Sequence, residues 1–153
     1  MAPLSRDSAS ADPEAEPPLH GTVVYIEDDE TNVLLVQAMV ARHPEVRMLH
    51  AATGREGVRL VRQEKPDFVL LDMNLPDMSG LEVVRELNID ITSRGLRLNI
   101  LTGNALSMDI IKAMSLGAYE YWVKPVDPQV LEAGVRRALT GRRADPARTL
   151  KRR

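Results

Sequence analysis

The chain has 153 residues, no cysteine and a formal net charge of −2 at pH 7. Its length suffices for one domain with a hydrophobic core, and the lack of cysteine excludes disulfide bonds and thiolate metal sites. No apolar run approaches the roughly 18 residues that cross a bilayer, and the N-terminal segment has no apolar core of a secretory signal, so the sequence predicts a cytoplasmic protein.

The chain alternates between two kinds of segment after residue 19. Residues 1–19 are rich in Ala, Pro, Ser and acidic residues, which predicts a disordered N-terminal tail. Beyond them, short apolar runs predict strands at 22–26, 46–51, 68–71, 98–101 and 119–123, and longer segments predict helices at 31–43, 53–63, 79–87, 107–117 and 127–139. Two of the helices begin with a capping box, formed by Thr53 with Glu56 and by Ser79 with Glu82.

Five strands that each precede a helix predict an α/β fold. The runs at 22–26, 68–71 and 98–101 are apolar on both faces of the predicted strand. Helices must therefore cover both sides of a parallel sheet. In such sheets the functional residues gather at the carboxyl ends of the strands.

The C-terminal segment is strongly basic. Residues 136–153 contain eight Lys/Arg and one Asp, whereas residues 1–135 contain twelve Lys/Arg and twenty-one Asp/Glu. A basic segment can contact nucleic acid or an acidic partner. This one lacks interleaved aromatic residues and a helical stripe, which favours a solvated tail. We therefore predict a folded domain at 20–141 followed by a basic tail at 142–153.

Polar side chains follow four of the predicted strands, each as the first polar residue beyond its apolar run. The acidic stretch EDDE occupies 27–30, and Asp72, Thr102 and Lys124 follow the third, fourth and fifth strands. Neighbouring strands of a sheet lie about 4.8 Å apart. We therefore expect these groups to converge at one edge of the sheet.

The acidic residues of this edge indicate a metal site. Glu27, Asp28 and Asp72 would repel one another without a counter-charge, which a divalent cation supplies. An all-oxygen ligand set suits a hard ion, so Mg²⁺ is favoured, with Mn²⁺ as an alternative. Acidic residues also favour the positive N-terminus of a following helix, and this explanation suits Asp29 and Glu30 better than Glu27 and Asp28.

The lysine and the threonine indicate phosphate chemistry. Lys124 can pair with an incoming anion, and the Thr102 hydroxyl can donate a hydrogen bond to it. Each residue alone has an ordinary explanation as a loop or strand-end residue. Together with Mg²⁺ and a nucleophilic carboxylate, they predict a site for phosphoryl transfer to Asp72.

Four segments resemble the receiver domain of two-component response regulators: VVYIEDDETN, VLLDMNLPDMSGLEVV, ILTGNA and GAYEYWVKPV. The resemblance covers about residues 21–140. It implies a flavodoxin-like (βα)5 fold, a doubly wound five-stranded parallel sheet of order 2-1-3-4-5. It also implies a CheY-like phosphoprotein that acts as a signalling switch, not an enzyme, and that assists its own phosphorylation and dephosphorylation.

The resemblance also assigns the acceptor and the metal ligands. Asp72 accepts a phosphoryl group from the phosphohistidine of a sensor histidine kinase or a histidine phosphotransfer protein. Asp28 binds Mg²⁺ directly, Glu27 assists, and Asn74 contributes its backbone carbonyl. Glu27 departs from the family pattern, which more often has aspartate there, and its longer arm can alter the metal geometry.

The remaining family roles concern the switch. Thr102 hydrogen-bonds the new phosphoryl group, Lys124 pairs with it, and Tyr121 changes rotamer when the threonine moves. The Lys124–Pro125 peptide bond is expected to be cis. Gly103 stands where the family more often has alanine, which loosens that loop.

The partner classes follow from the same resemblance. We expect a single-domain regulator, part of a phosphorelay or acting on a downstream protein target. It would have no DNA-binding domain and no membrane contact, and would be a monomer or a weak homodimer. A receiver-like binding module that is never phosphorylated remains an alternative. A magnesium-dependent aspartyl phosphatase is disfavoured because Asn74 stands where that class has an acid, and a dinucleotide enzyme because no G-x-G-x-x-G follows the first strand.

Overall fold

The computed structural model describes residues 17–103 and 107–144. The strands are β1 (His20–Ile26), β2 (Glu45–Ala51), β3 (Phe68–Asp72), β4 (Arg97–Thr102) and β5 (Glu120–Val123). The helices are α1 (Glu30–Val40), α2 (Gly54–Glu64), α3 (Gly80–Glu86), α4 (Asn88–Arg94), α5 (Met108–Ser115) and α6 (Pro128–Ala144). Within those residues, no helix combines the length and the apolar composition that a membrane span requires.

The five strands form one parallel sheet in the order β2-β1-β3-β4-β5, as predicted. One face packs against α2, α3, α4 and α5, and the other face packs against α1 and α6. On the second face, Gly134 of α6 lies over the indole of Trp122, where a Cβ atom would collide with the ring. The sheet is therefore doubly wound, and β3 at its centre is buried along its whole length.

Two predicted capping residues begin their helices as expected. The hydroxyl of Thr53 accepts a hydrogen bond from the backbone N–H of Glu56 at 3.1 Å. The hydroxyl of Ser79 accepts one from the backbone N–H of Glu82 at 3.1 Å. Each bond satisfies one of the N–H groups that the first turn of a helix leaves without a partner.

Helix α4 was not predicted from the sequence. The predicted helix at 79–87 ends in the structure at Leu87, and α4 follows at once and ends at Gly95, whose φ of 70° is left-handed. Periodicity did not reveal α4 because its sequence, NIDITSR, is poor in strong helix formers and its first turn has no side-chain cap. Tertiary packing compensates, since Ile91 is buried in the core.

The ordered structure extends beyond the predicted domain boundaries. Leu19, which the prediction assigns to the disordered tail, is 1% exposed and packs in the core beneath α1 and α6. Helix α6 continues to Ala144, past the predicted boundary at 141, because arginine and alanine are good helix formers. Most of both predicted tails lies outside the described residues.

Asn99 is a polar residue at an apolar position of β4. Its side chain is 0% exposed, and neither its Oδ1 nor its Nδ2 has a hydrogen-bond partner among residues 17–103 and 107–144. A buried polar group without a partner costs roughly 1–3 kcal/mol. The position therefore lowers the stability of the sheet.

We expect Asn99→Leu, which keeps the approximate shape, to raise the free energy of unfolding by about 1–2 kcal/mol in urea denaturation. Asn88→Leu is the matched control. Asn88 donates a hydrogen bond to the carbonyl of Leu116 at 2.8 Å, so its replacement should destabilise. An unchanged or lowered stability of Asn99→Leu would show that the amide is satisfied.

Candidate functional site

The carboxyl ends of the strands meet at one edge of the sheet. The register pairs Ile26 with Leu71, so that Glu27, the residue after β1, comes level with Asp72 at the end of β3. Asp72 in turn pairs with Leu101, one residue before the end of β4. These pairings bring residues from separate chain segments to the same edge of the sheet.

Three carboxylates form the acidic part of the site. Oxygen atoms of Glu27, Asp28 and Asp72 lie within 4.8 Å of one another. Glu27 is 0% exposed and Asp72 is 3% exposed, while Asp28 is open to solvent. Mg²⁺ prefers hard oxygen ligands and keeps several waters, so one exposed and two buried carboxylates fit such an ion. The cluster could therefore bind a divalent metal.

Lys124 joins two of these carboxylates. Its Nζ lies 3.0 Å from Oδ1 of Asp72 and 3.3 Å from Oε1 of Glu27. Its backbone N–H donates to the carbonyl of Thr102 at 2.7 Å, which ties the end of β5 to the end of β4. The following Lys124–Pro125 peptide bond is cis. The ammonium group is thus the fixed counter-charge of the site.

The surroundings change the acidity of both members of the ion pair. Burial, together with a hydrogen bond to Glu27, raises the pKa of Asp72 to about 6, although the nearby Lys124 opposes the rise. Burial by itself would lower the pKa of Lys124, but the hydrogen bond and charge of Asp72 outweigh it and raise that pKa above its ordinary value. Near neutral pH the lysine is therefore charged and Asp72 is mostly ionised.

The remaining predicted residues occupy two environments. Thr102 is 4% exposed at the end of β4 and lines a cleft together with Asn74 and Ser107. The backbone N–H of Asn74 donates to Oδ1 of Asp72 at 3.3 Å. Tyr121 lies on the edge strand β5 and is 37% exposed. The structure thus places Thr102 and Asn74 beside Asp72 and leaves Tyr121 at the surface.

Tyr25 contacts the site, although its sequence pattern predicted only a strand residue. Its hydroxyl donates a hydrogen bond to Oε1 of Glu27 at 2.8 Å. Burial, followed by the negative charge of Glu27, raises the pKa of Tyr25. Residues i and i+2 of a strand share a face, so the spacing of Tyr25 and Glu27 was a usable signal. What it could not reveal was that the two side chains reach each other.

Asp77 is a second missed residue, in the loop between β3 and α3. Its carboxylate accepts hydrogen bonds from the backbone N–H groups of Gly54 at 2.8 Å and Arg55 at 2.9 Å, at the start of α2. The bond from Arg55, then that from Gly54, lowers the pKa of Asp77. This contact anchors the loop that carries Asn74. A pairing across 22 or 23 residues leaves no local sequence signal.

Comparison with known proteins identifies the family. Residues 23–136 match the family described as the response regulator receiver domain. The chain belongs to this family. Receiver domains act as signalling switches of two-component systems and are generally not classed as enzymes.

Relatives of this receiver domain differ in length. Protein PilH of Pseudomonas aeruginosa is 32% identical over 119 residues, which cover 78% of this chain and 98% of PilH. Other curated relatives are longer, and the receiver domain spans about half the length of two of them, at 51% and 54%.

Solved structures carry the same fold. A CheY-like receiver domain of Methanospirillum hungatei has a TM-score of 0.73 at 23% identity, with 81% of this chain and 97% of that one covered. The receiver domain of a sensor histidine kinase from Pseudomonas aeruginosa has a TM-score of 0.69 at 27% identity, with 78% and 98% covered. That second structure has a magnesium ion coordinated in its active-site cleft.

The raised pKa of Asp72 predicts that this receiver domain gains stability when the charge is removed. The folded value of about 6 exceeds the ordinary 3.8, so the folded state holds the proton more tightly than the unfolded state. Ionisation of Asp72 therefore lowers stability as the pH rises through about 6. Without metal at pH 7.5, Asp72→Asn should raise the free energy of unfolding by on the order of 3 kcal/mol.

Urea denaturation in EDTA between pH 4 and pH 8 measures this effect. The advantage of Asp72→Asn should shrink as the pH falls below 6 and disappear near pH 4. Glu45→Gln, an exposed change at the start of β2, is the control and should alter stability little at any of these pH values. A destabilised Asp72→Asn at pH 7.5 would contradict the prediction.

Proposed function

We propose that Asp72 is the phosphoacceptor of this receiver domain and that its phosphorylation switches a protein-interaction face. The donor would be the phosphohistidine of a sensor histidine kinase or a histidine phosphotransfer protein, in the cytoplasm. The observation that carries the proposal is the ion pair at the end of β3, in which buried Asp72 lies 3.0 Å from the ammonium of Lys124. A mostly ionised carboxylate beside a fixed cation is suited to attack a phosphoryl group.

The phosphoryl group would pass directly from phosphohistidine to Asp72. An oxygen of Asp72 forms a bond to phosphorus while the phosphorus–nitrogen bond of phosphohistidine breaks. The departing imidazole nitrogen takes the electron pair of the broken bond and a proton from solvent water, and Asp72 becomes an acyl phosphate. Lys124 neutralises charge on the transferred oxygens, and the hydroxyl of Thr102 donates a hydrogen bond to one of them.

The carboxylates of Glu27, Asp28 and Asp72 and the backbone carbonyl of Asn74 are the groups that would hold Mg²⁺. Mn²⁺ accepts the same oxygen ligands. When bound, the ion supplies positive charge that offsets the charge of the phosphoryl oxygens. The spacing of the three carboxylates, within 4.8 Å of one another, supports this assignment.

The switch would act through Thr102 and Tyr121. Phosphorylation adds roughly −1.5 to −2 charge, a figure for phosphorylated hydroxyl groups that applies only approximately to an acyl phosphate. Thr102 and Lys124 would be drawn toward this charge, and Tyr121 would move into the space that Thr102 leaves. The surface of α5, β5 and α6 would then change shape, which shifts the population between two states and alters contact with a downstream protein.

Acetyl phosphate tests the acceptor assignment. With Mg²⁺, wild-type protein should gain one phosphoryl group by intact-mass spectrometry, and EDTA should prevent the gain. Asp72→Asn should gain none, because its amide is not a nucleophile for this reaction. Asp90→Asn, a change in α4 where Asp90 pairs with Arg94, is the matched control and should react as wild type does.

Two results would reject the acceptor assignment. Phosphorylation of Asp72→Asn would place the acceptor elsewhere, and an unmodified wild type would indicate a binding module that acts without phosphorylation. Steady release of inorganic phosphate from phosphomonoesters, which do not phosphorylate a receiver domain, would instead indicate a phosphatase.

A phosphate mimic tests the switch. In a crystal structure with Mg²⁺ and beryllium fluoride, the side chain of Tyr121 should turn inward and fall well below its present 37% exposure. The inward space becomes available only when Thr102 moves toward the mimic. Asp72→Asn under the same conditions is the control and should keep Tyr121 exposed. A liganded wild type whose Tyr121 has not moved would reject the switch and leave the acceptor assignment intact.

A further inference from the structure

Tyr25 and Glu27 form a buried pair at the end of β1. Tyr25 is 1% exposed, Glu27 is 0% exposed, and the phenolic hydroxyl donates to Oε1 of Glu27 at 2.8 Å. The two residues are separated by one position, so their side chains extend from the same face of the strand. The hydroxyl therefore approaches the carboxylate from inside the core, on the side of α1 and α6.

Other groups hold the same carboxylate from the remaining directions. The backbone N–H of Asp29 donates to Oε2 of Glu27 at 3.2 Å, and Nζ of Lys124 lies 3.3 Å from Oε1. Lys124 also serves Asp72, and Asp29 caps helix α1 through its own side chain. Among these three partners of the Glu27 carboxylate, Tyr25 is the one to which no other role at the site is assigned.

A glutamate at this position needs such a partner more than an aspartate does. Glutamate has one more rotatable bond, and ordering a longer side chain costs more conformational entropy. A site that places Glu27 beside Asp28 and Asp72 must therefore hold the carboxylate of a longer side chain in one position. A hydrogen bond from a rigid, buried phenol performs this task, because the ring of Tyr25 is itself held by the core packing.

We propose that Tyr25 is a positioning residue that fixes the carboxylate of Glu27 and thereby pre-arranges the acidic cluster for a divalent cation. The inference rests on the proposed function, since it concerns the same metal site. Tyr25 does not touch the cation in this account. It acts through Glu27, and its effect must therefore disappear when the glutamate arm is shortened.

A double-mutant cycle read out by Mg²⁺ affinity tests the inference without any phosphoryl transfer. Isothermal titration calorimetry would compare wild type, Tyr25→Phe, Glu27→Asp and the double variant. Tyr25→Phe should weaken Mg²⁺ binding about fivefold, which corresponds to about 1 kcal/mol. In the Glu27→Asp background, the same change should alter the dissociation constant less than about twofold, because the shorter carboxylate no longer reaches the phenol.

Two further variants serve as controls for the effect of the Tyr25 hydroxyl. Tyr25→Leu removes the hydroxyl by a different route and should weaken binding by a similar factor. Tyr119→Phe removes a hydroxyl from a tyrosine that packs under Arg97 near the opposite end of the sheet, and it should bind Mg²⁺ as wild type does. Thermal melting of each variant establishes that the protein tested is folded.

The outcomes separate the inference from the proposed function. If Tyr25→Phe lowers the melting temperature but binds Mg²⁺ like wild type, the tyrosine is only a core residue and the inference is wrong. It is equally wrong if the loss of affinity is the same in both backgrounds. If wild type itself binds no Mg²⁺, the metal part of the proposed function fails, and the inference fails with it.

Discussion

The site depends on the ion pairs that the ammonium group of Lys124 forms with two buried carboxylates. Glu27 and Asp72 are buried at the same edge of the sheet, and Lys124 lies 3.3 Å and 3.0 Å from them. The sheet order explains why this cationic side chain is a long one, since β4 separates β5 from β3. Two strand spacings amount to about 9.6 Å, which a short cationic side chain would not bridge. The long lysine stem crosses β4 and brings its charge to the carboxylates.

The burial of Asp72 beside Glu27 and Lys124 also determines the pKa of its carboxylate. Burial raises its pKa to about 6, which makes the carboxylate more basic than an exposed one. A group that keeps its proton at neutral pH would be a poor nucleophile, and a fully solvated one would be a weaker base. Lys124 limits the rise, so the carboxylate stays mostly ionised near pH 7. Stability is lower as a result, which is a common property of functional sites.

Sequence patterns predicted that Asp72, Thr102 and Lys124 lie at one edge of the sheet, because each is the first polar residue beyond an apolar run. That rule located Asp72, Thr102 and Lys124, whereas the strand order came from the family resemblance. Helix α4 escaped prediction because tertiary packing, not helix propensity, stabilises it. Tyr25 and Asp77 escaped for another reason. Their roles depend on which atoms meet in space, and neither periodicity nor spacing along the chain records those contacts.

The glutamate at position 27 shows how one departure from a family pattern can require another residue. A longer arm brings freedom that a metal site must remove, and the buried phenol of Tyr25 removes it at 2.8 Å. The tyrosine lies within the core that packs α1 and α6 onto the sheet, so its position follows from the fold itself. The acidic edge is therefore coupled to the packing beneath it. In this receiver domain, the geometry of the carboxylates proposed to hold Mg²⁺ would then depend partly on a residue that the ion does not touch.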